Sequence, residues 1–189
     1  MEDFAASAMA AAVIDRRTLT ADFDSVVGAF RPAVFRFALA CLRDRDAAET
    51  VAQDCFLKAF NSRNAFRGDC AVKTWLMQIA VNLIRDRIRN RKLQFWRRAK
   101  LEPVDCLGQR LDAHQPSPET ALVCREKLAA MWTAVDRLPA KQRCVFLLRF
   151  VEDLDVLEIA EATGMKEGTV KTHLFRSLAT IREKIGAAI

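Results

Sequence analysis

The stretch "EIAEATGMKEGTVKTHLFR", Glu158 to Arg176, decides how this chain is read. Its pattern is a helix, a tight turn and a second helix. Asp155, three residues before Glu158, sets up a capping box, in which each side chain accepts from the other residue's backbone N–H. Gly164 tolerates the left-handed conformation that ends a helix, so the first helix should stop there. Ala160 supplies the small residue that close helix crossing needs, and Val170 the buried contact that holds the second helix. Ile159 and Leu174 complete that small core. Lys166, Glu167, Thr169, Lys171, Thr172, His173 and Arg176 are left to share the outward and N-terminal faces. Such side chains read base edges and hold phosphates. The spacing therefore predicts a DNA-reading helix-turn-helix. A solvated, charged helix at the end of a bundle is the plainer alternative. His173 has no nearby second metal ligand and reads as an exposed hydrogen-bond donor on the second helix.

Helical periodicity continues outward from this motif, and no stretch reads as a convincing strand. The last helix should run from about Lys166 to Lys184. Upstream, "KQRCVFLLRFVE" is apolar enough to be a central helix. Ala121, Cys124, Leu128, Met131, Trp132, Val135 and Leu138 predict another, ended by Pro139. Between Ala99 and Ser117 the period is lost among Pro103, Gly108 and Pro116, which reads as a linker.

Before the linker lies a second helical block. Phe23, Val26, Val27, Phe30, Val34, Phe37 and Cys41 recur at three and four residues. Pro32 interrupts them, which predicts a short helix and then a longer one with Pro32 in its first turn. "DRDAAETVAQDCFLKAFNS" predicts a helix with Val51, Cys55, Phe56 and Phe60 pointing inward. "NAFRGDCAVKTW" reads as a loop, and a long helix follows from about Val72 to Arg98 with Trp75, Leu76, Ile79, Ala80, Leu83 and Ile84 as its apolar stripe. The expected fold is all-α: two small helical domains joined by a flexible linker. Its divisions are a tail at 1–21, a first domain at 22–98, the linker at 99–117 and a second domain at 118–189.

The 189 residues carry a net charge of +6, which points to a polyanionic partner. "RDRIRNRKLQFWRRAK", Arg85 to Lys100, holds eight basic residues against one acid. A run of one sign binds phosphates without reading sequence, and its affinity falls with salt. Nothing reads as a membrane span, and "FAASAMAAAVI" follows Glu2 and Asp3 where a signal peptide needs positive charge. No membrane insertion and a cytoplasmic location are expected. The six cysteines form no CxxC and the chain has two histidines, so no metal and no cofactor are expected. Cys70 and Cys106, in expected loops, are the thiols to watch for redox sensitivity. No nucleophile elbow, phosphate-cradling glycine loop or carboxylate cluster is present, which argues against an enzyme.

Four stretches, in order and spacing, resemble the bacterial sigma-70 family of RNA polymerase initiation factors. They are "AETVAQDCFLKAF", "FRGDCAVKTWLMQIAVNLIRDRIR", "LPAKQRCVFLLRFVEDLDVLEIAEATG" and "EGTVKTHLFRSLATIREKI". The closest likeness is to its smallest branch, the extracytoplasmic function (ECF) group, built of regions two and four on a linker. The resemblance implies core RNA polymerase as partner, docked through Glu49, Gln53 and Asp54. It also implies promoter DNA as ligand, both duplex and melted non-template strand. Phe66, Trp75, Asn82, Arg85 and Arg89 would serve the −10 element. Lys166, Glu167, Thr169, Lys171, Thr172, His173 and Arg176 would serve the −35 element. An anti-sigma factor is the implied inhibitor. Two positions depart from the family pattern: Thr50 stands where an acid is usual, and Lys166 where a serine or proline often starts the helix. A stand-alone helix-turn-helix regulator with an N-terminal dimerisation or sensor domain is the rival reading. It gives the basic run and the Phe66 loop no role.

Overall fold

The computed structural model describes residues 16–95 and 128–186. The first group forms α1 (Arg16–Ala21), α2 (Phe23–Leu42), α3 (Arg45–Ser62), a 3-10 turn (Arg63–Ala65) and α4 (Val72–Phe95). The second forms α5 (residues 128–136), α6 (Ala140–Phe150), α7 (Val156–Thr163) and α8 (Glu167–Gly186). Among the described residues there is no strand. The expected linker and most of the expected tail lie outside the described residues, as does Cys106.

Capping chemistry sets where the N-terminal helices start. Asp22 accepts from the Ser25 N–H at 3.2 Å, and Asp44 from the Ala47 N–H at 2.9 Å. Each satisfies a donor that a first helical turn leaves unpaired. Arg43, in left-handed conformation, turns the chain between α2 and α3. The core of this half is Val26, Phe30, Val34 and Phe37 from α2, Val51, Cys55 and Phe56 from α3, and Leu76, Met77 and Ala80 from α4.

Three expectations need correction here. Pro32 does not divide two helices: α2 runs unbroken through it. Phe30 and Val34 are buried on either side of the proline, and that packing offsets one missing hydrogen bond. The helix-forming chain also begins earlier, since α1 buries Leu19 completely. Phe60 sits at the edge of the core, 43% exposed, edge-on to Phe23 at 5.3 Å and under the Arg63 guanidinium. By length and composition alone α2 could cross a membrane, yet its apolar side is the core just described.

In the C-terminal half, Val135 and Leu138 pack with Val145, Phe146, Leu147 and Leu148 of α6. Leu154, Ile159, Ala162, Val170 and Ile181 close this core. The two halves touch each other: α7 lies against α4, and α6 against α2.

Candidate nucleic-acid interface

The helix-turn-helix forms as its sequence implies. Asp155 accepts from the Glu158 N–H at 2.8 Å, and Glu158 accepts from the Asp155 N–H at 2.9 Å. Gly164 ends α7 at φ 69°, a conformation that costs a residue with a Cβ. Its N–H reaches Ala160 O at 2.9 Å. Val170, fully buried, fixes α8 against α7. The Lys166 carbonyl accepts the first bonds of α8, from Thr169 and Val170.

Lys166, Glu167, Thr169, Lys171, Thr172 and Arg176 are all exposed on α8 or at its start. Three of them are internally engaged: Lys171 lies 3.8 Å from Glu167, and the Thr172 hydroxyl donates to Gly168 O. His173 departs from expectation. It is half-buried rather than exposed, with Nδ1 buried and unpaired. Burial, and then Lys141 and Arg176, hold its pKa below the usual imidazole value, so the ring is neutral at pH 7. The helix turn of 100° per residue places position 173 near the edge of the buried face, a geometry that spacing alone left unread. Phe175 was not singled out from the sequence. It is 74% exposed, one helical turn from Lys171 on the outward face.

The second set gathers around α4. Asn82 is exposed and lines an open cleft of about 380 Å³ with Lys58, Asn61, Ser62 and Ile79. Trp75 is half-buried, with its ring centroid 5.0 Å from that of Phe66. Phe66 itself is only 6% exposed, so it stands behind the tryptophan rather than open to a ligand. Arg85, expected to face DNA, instead donates to Thr163 O at the end of α7, at 3.0 Å. Arg89 is exposed and pairs with Asp86 at 3.1 Å. Beyond position 90 the side chains of the basic run lie outside the described residues.

The third set lies on α3. Gln53 is exposed, Asp54 half-buried, and Glu49 forms an ion pair with Arg31 of α2. Thr50 turns its hydroxyl to Asp46 O at 2.7 Å. Leu57, 61% exposed, extends the same outward face and was not singled out from the sequence.

Both halves match the same family in chain order. Residues 26–94 match Sigma-70 region 2, and residues 128–181 match Sigma-70, region 4. The ECF RNA polymerase sigma factor SigM of Mycobacterium tuberculosis is 30% identical over 164 residues, covering 87% of this chain and 77% of that protein. This chain is an ECF sigma factor of the sigma-70 family. The ECF sigma factor SigW of Bacillus subtilis is 28% identical over 165 residues, 86% of this chain and 88% of that protein. A likeness in fold extends to the sigma factor RpoE of Bartonella quintana, solved in complex with the anti-sigma factor NepR. The TM-score there is 0.71 at 22% identity, over 87% of this chain and 97% of that one. This sigma factor thus carries region 2 in α2 to α4 and region 4 in α5 to α8.

The four cysteines among the described residues offer little redox chemistry. Burial pushes the Cys55 and Cys144 thiols up to about 12, and Cys41 well above its ordinary range. Cys70 is also raised, first by burial and then by the acids around it. A thiol held protonated is a poor nucleophile.

Proposed function

We propose that this sigma factor binds bacterial core RNA polymerase through α3, directs it to specific promoters and helps open the −10 region. The reading rests chiefly on one observation: a region 2 and a region 4 in tandem, the latter with an exposed basic reading helix. Gln53, Asp54 and the exposed Leu57 form the docking face, an apolar residue flanked by polar ones. Glu49 supports that face by holding α2 and α3 together through Arg31.

At the −10 element, Asn82 supplies hydrogen bonds to a base edge beside its cleft. Trp75 offers its partly open ring for stacking, and Phe66 backs it. Extruding a base costs about a few kcal/mol of stacking, which such contacts offset. Arg85 and Arg89 hold backbone phosphates once Arg85 is free of α7. At the −35 element, α8 enters the major groove. Lys171 and Thr172 contact base edges and backbone, while Lys166 and Arg176 hold phosphates. Phe175 meets a thymine methyl, the apolar feature of that groove. A neutral His173 gives or accepts one hydrogen bond without adding charge. Thr169 and Glu167 flank the entry.

Bond-forming chemistry in this scheme belongs to the polymerase, and the sigma factor supplies recognition. An anti-sigma factor that covers α3 or α8 is the expected inhibitor. The test is capture of purified core polymerase followed by run-off transcription from genomic promoter fragments. Discrete new start sites, lost on Asn82→Ala or Lys171→Ala, support the reading. A chain that ignores core polymerase yet shifts duplex DNA as a dimer overturns it and favours the stand-alone regulator.

A further inference from the structure

One apolar patch on region 2 is left open by the fold. Leu57 and Phe60 of α3 lie three residues apart on one side of the helix and are 61% and 43% exposed. Phe60 meets Phe23 edge-on at 5.3 Å, and Phe23 meets Phe56 edge-on at 6.4 Å. The patch is therefore the outer end of an aromatic cluster rather than a stray side chain. Its rim is basic. The Arg63 guanidinium lies 3.6 Å from the Phe60 ring centroid. Lys58, next to Leu57, is exposed and makes no ion pair among the described residues.

The chain itself supplies a matching segment. Residues 1–15, "MEDFAASAMAAAVID", place Phe4, Met9, Val13 and Ile14 among alanines. They carry Glu2, Asp3 and Asp15 and have no lysine or arginine. They join the described residues at Arg16, the first residue of α1. α1 lies against the 3-10 turn that directly follows α3. Its 6 residues rise about 9 Å, so the segment arrives about 10 Å from Phe23. Leu57 is only about 4.5 Å along α3 from Phe60. An extended run from Phe4 to Asp15 spans about 40 Å, several times those distances.

We propose that residues 1–15 fold back over this patch, with Phe4 and Met9 against Leu57 and Phe60, and Glu2 and Asp3 toward Lys58 and Arg63. Burial of apolar side chains on both partners drives the contact. Exposed charge pairs add little energy and mainly set its orientation. A tether this short gives the segment an effective concentration of about millimolar, so a contact too weak to hold a free peptide is made here. A second copy of the chain is the poorer occupant. Its own patch would bring the same basic rim, and like charges would face each other. The consequence rests on the sigma-factor reading and deepens it. Leu57 belongs to the proposed polymerase-docking face, so the segment and core polymerase compete for one surface.

The test puts a photoreactive benzophenone side chain in place of Leu57 in the full chain, an exposed position outside the core. Irradiation of the dilute free protein, followed by peptide mass spectrometry, reads what lies over the patch. The expected product is an intramolecular cross-link to residues 1–15. Cross-links confined to other parts of the chain, or joining two copies, overturn the proposal. Tethering alone gives some cross-link, so the variants decide. Phe4→Ser with Met9→Ser should cut the yield about fivefold or more, and an equal yield overturns the docking. Lys58→Glu should lower it about twofold, and Glu2→Lys with Asp3→Lys in that background should restore it. Failure to restore overturns the assigned orientation. In unlabelled protein, Phe4→Ser with Met9→Ser should tighten binding to core polymerase about threefold or more, because a face covered part of the time binds in proportion to its open fraction. Unchanged affinity overturns the competition. A chain that binds no polymerase overturns the sigma-factor reading instead, and the cross-link in the free chain still decides the docking.

Discussion

The two surfaces proposed to face DNA in this sigma factor stand in different states. On α8 the reading side chains are open to solvent, with only His173 half-buried. Around α4 Phe66 is buried behind Trp75, and Arg85 is spent on the end of α7. The contrast fits the proposed division of labour, in which duplex reading uses a preformed convex helix and base capture uses a cleft and a partly open ring. The outward side chains of α8 are already exposed, whereas Arg85 of region 2 is engaged by the end of α7.

The strongest way to break this comparison is to remove one surface and ask whether the other survives. Val170→Asp buries an unpaired carboxylate in the helix-turn-helix core and should cost region 4 several kcal/mol. Calorimetry should then show region 4 unfolded and region 2 melting on its own. Loss of both transitions would mean that the halves fold as one unit.

Lys171→Ala sharpens the comparison on the open side. If Lys171 reads a base, −35 duplex affinity should fall by about 1–3 kcal/mol and selectivity should relax at one position. If it holds only phosphate, the loss should be uniform across sequences and the salt slope smaller by about one. Asp155→Ala removes the capping box and should destabilise region 4 by about 1 kcal/mol, read as a lower melting midpoint for that transition alone.

The smallest expected effect concerns pH. The folded His173 pKa lies below the imidazole value of 6.5, so below pH 6.5 the unfolded chain takes up a proton that the folded ring resists. Region 4 stability should be level above pH 6.5 and decline below it until the lowered folded value is passed. His173→Gln should flatten that limb of the denaturation profile, and an unchanged limb would assign it to another group.

Local chemistry was legible in the sequence where a short motif dictates the backbone. Asp155, Glu158 and Gly164 gave the boundaries of α7, because capping and a left-handed stop depend on neighbours in the chain. Pro32 misled, because burial on both sides of a proline is a tertiary fact. Arg85 and Glu152 show the same limit more sharply. Arg85 was read as a −10 contact and Glu152 was not singled out, and each finds its partner on the other half of the molecule. Phe175 was hidden because composition cannot tell an exposed aromatic from a core one. Conversely, the outward set on α8 was readable apart from His173, since helix periodicity alone separates it from the buried Val170.

The most direct test of the whole account is a footprint on one run-off promoter, comparing the free sigma factor with its complex with core polymerase. The account predicts no protection by the free chain, and two protected patches about 25 base pairs apart for the complex. Lys171→Ala should weaken the upstream patch, and Asn82→Ala should abolish melting at the downstream one. A free chain that protects a palindromic site as a dimer, with polymerase adding nothing, would contradict it.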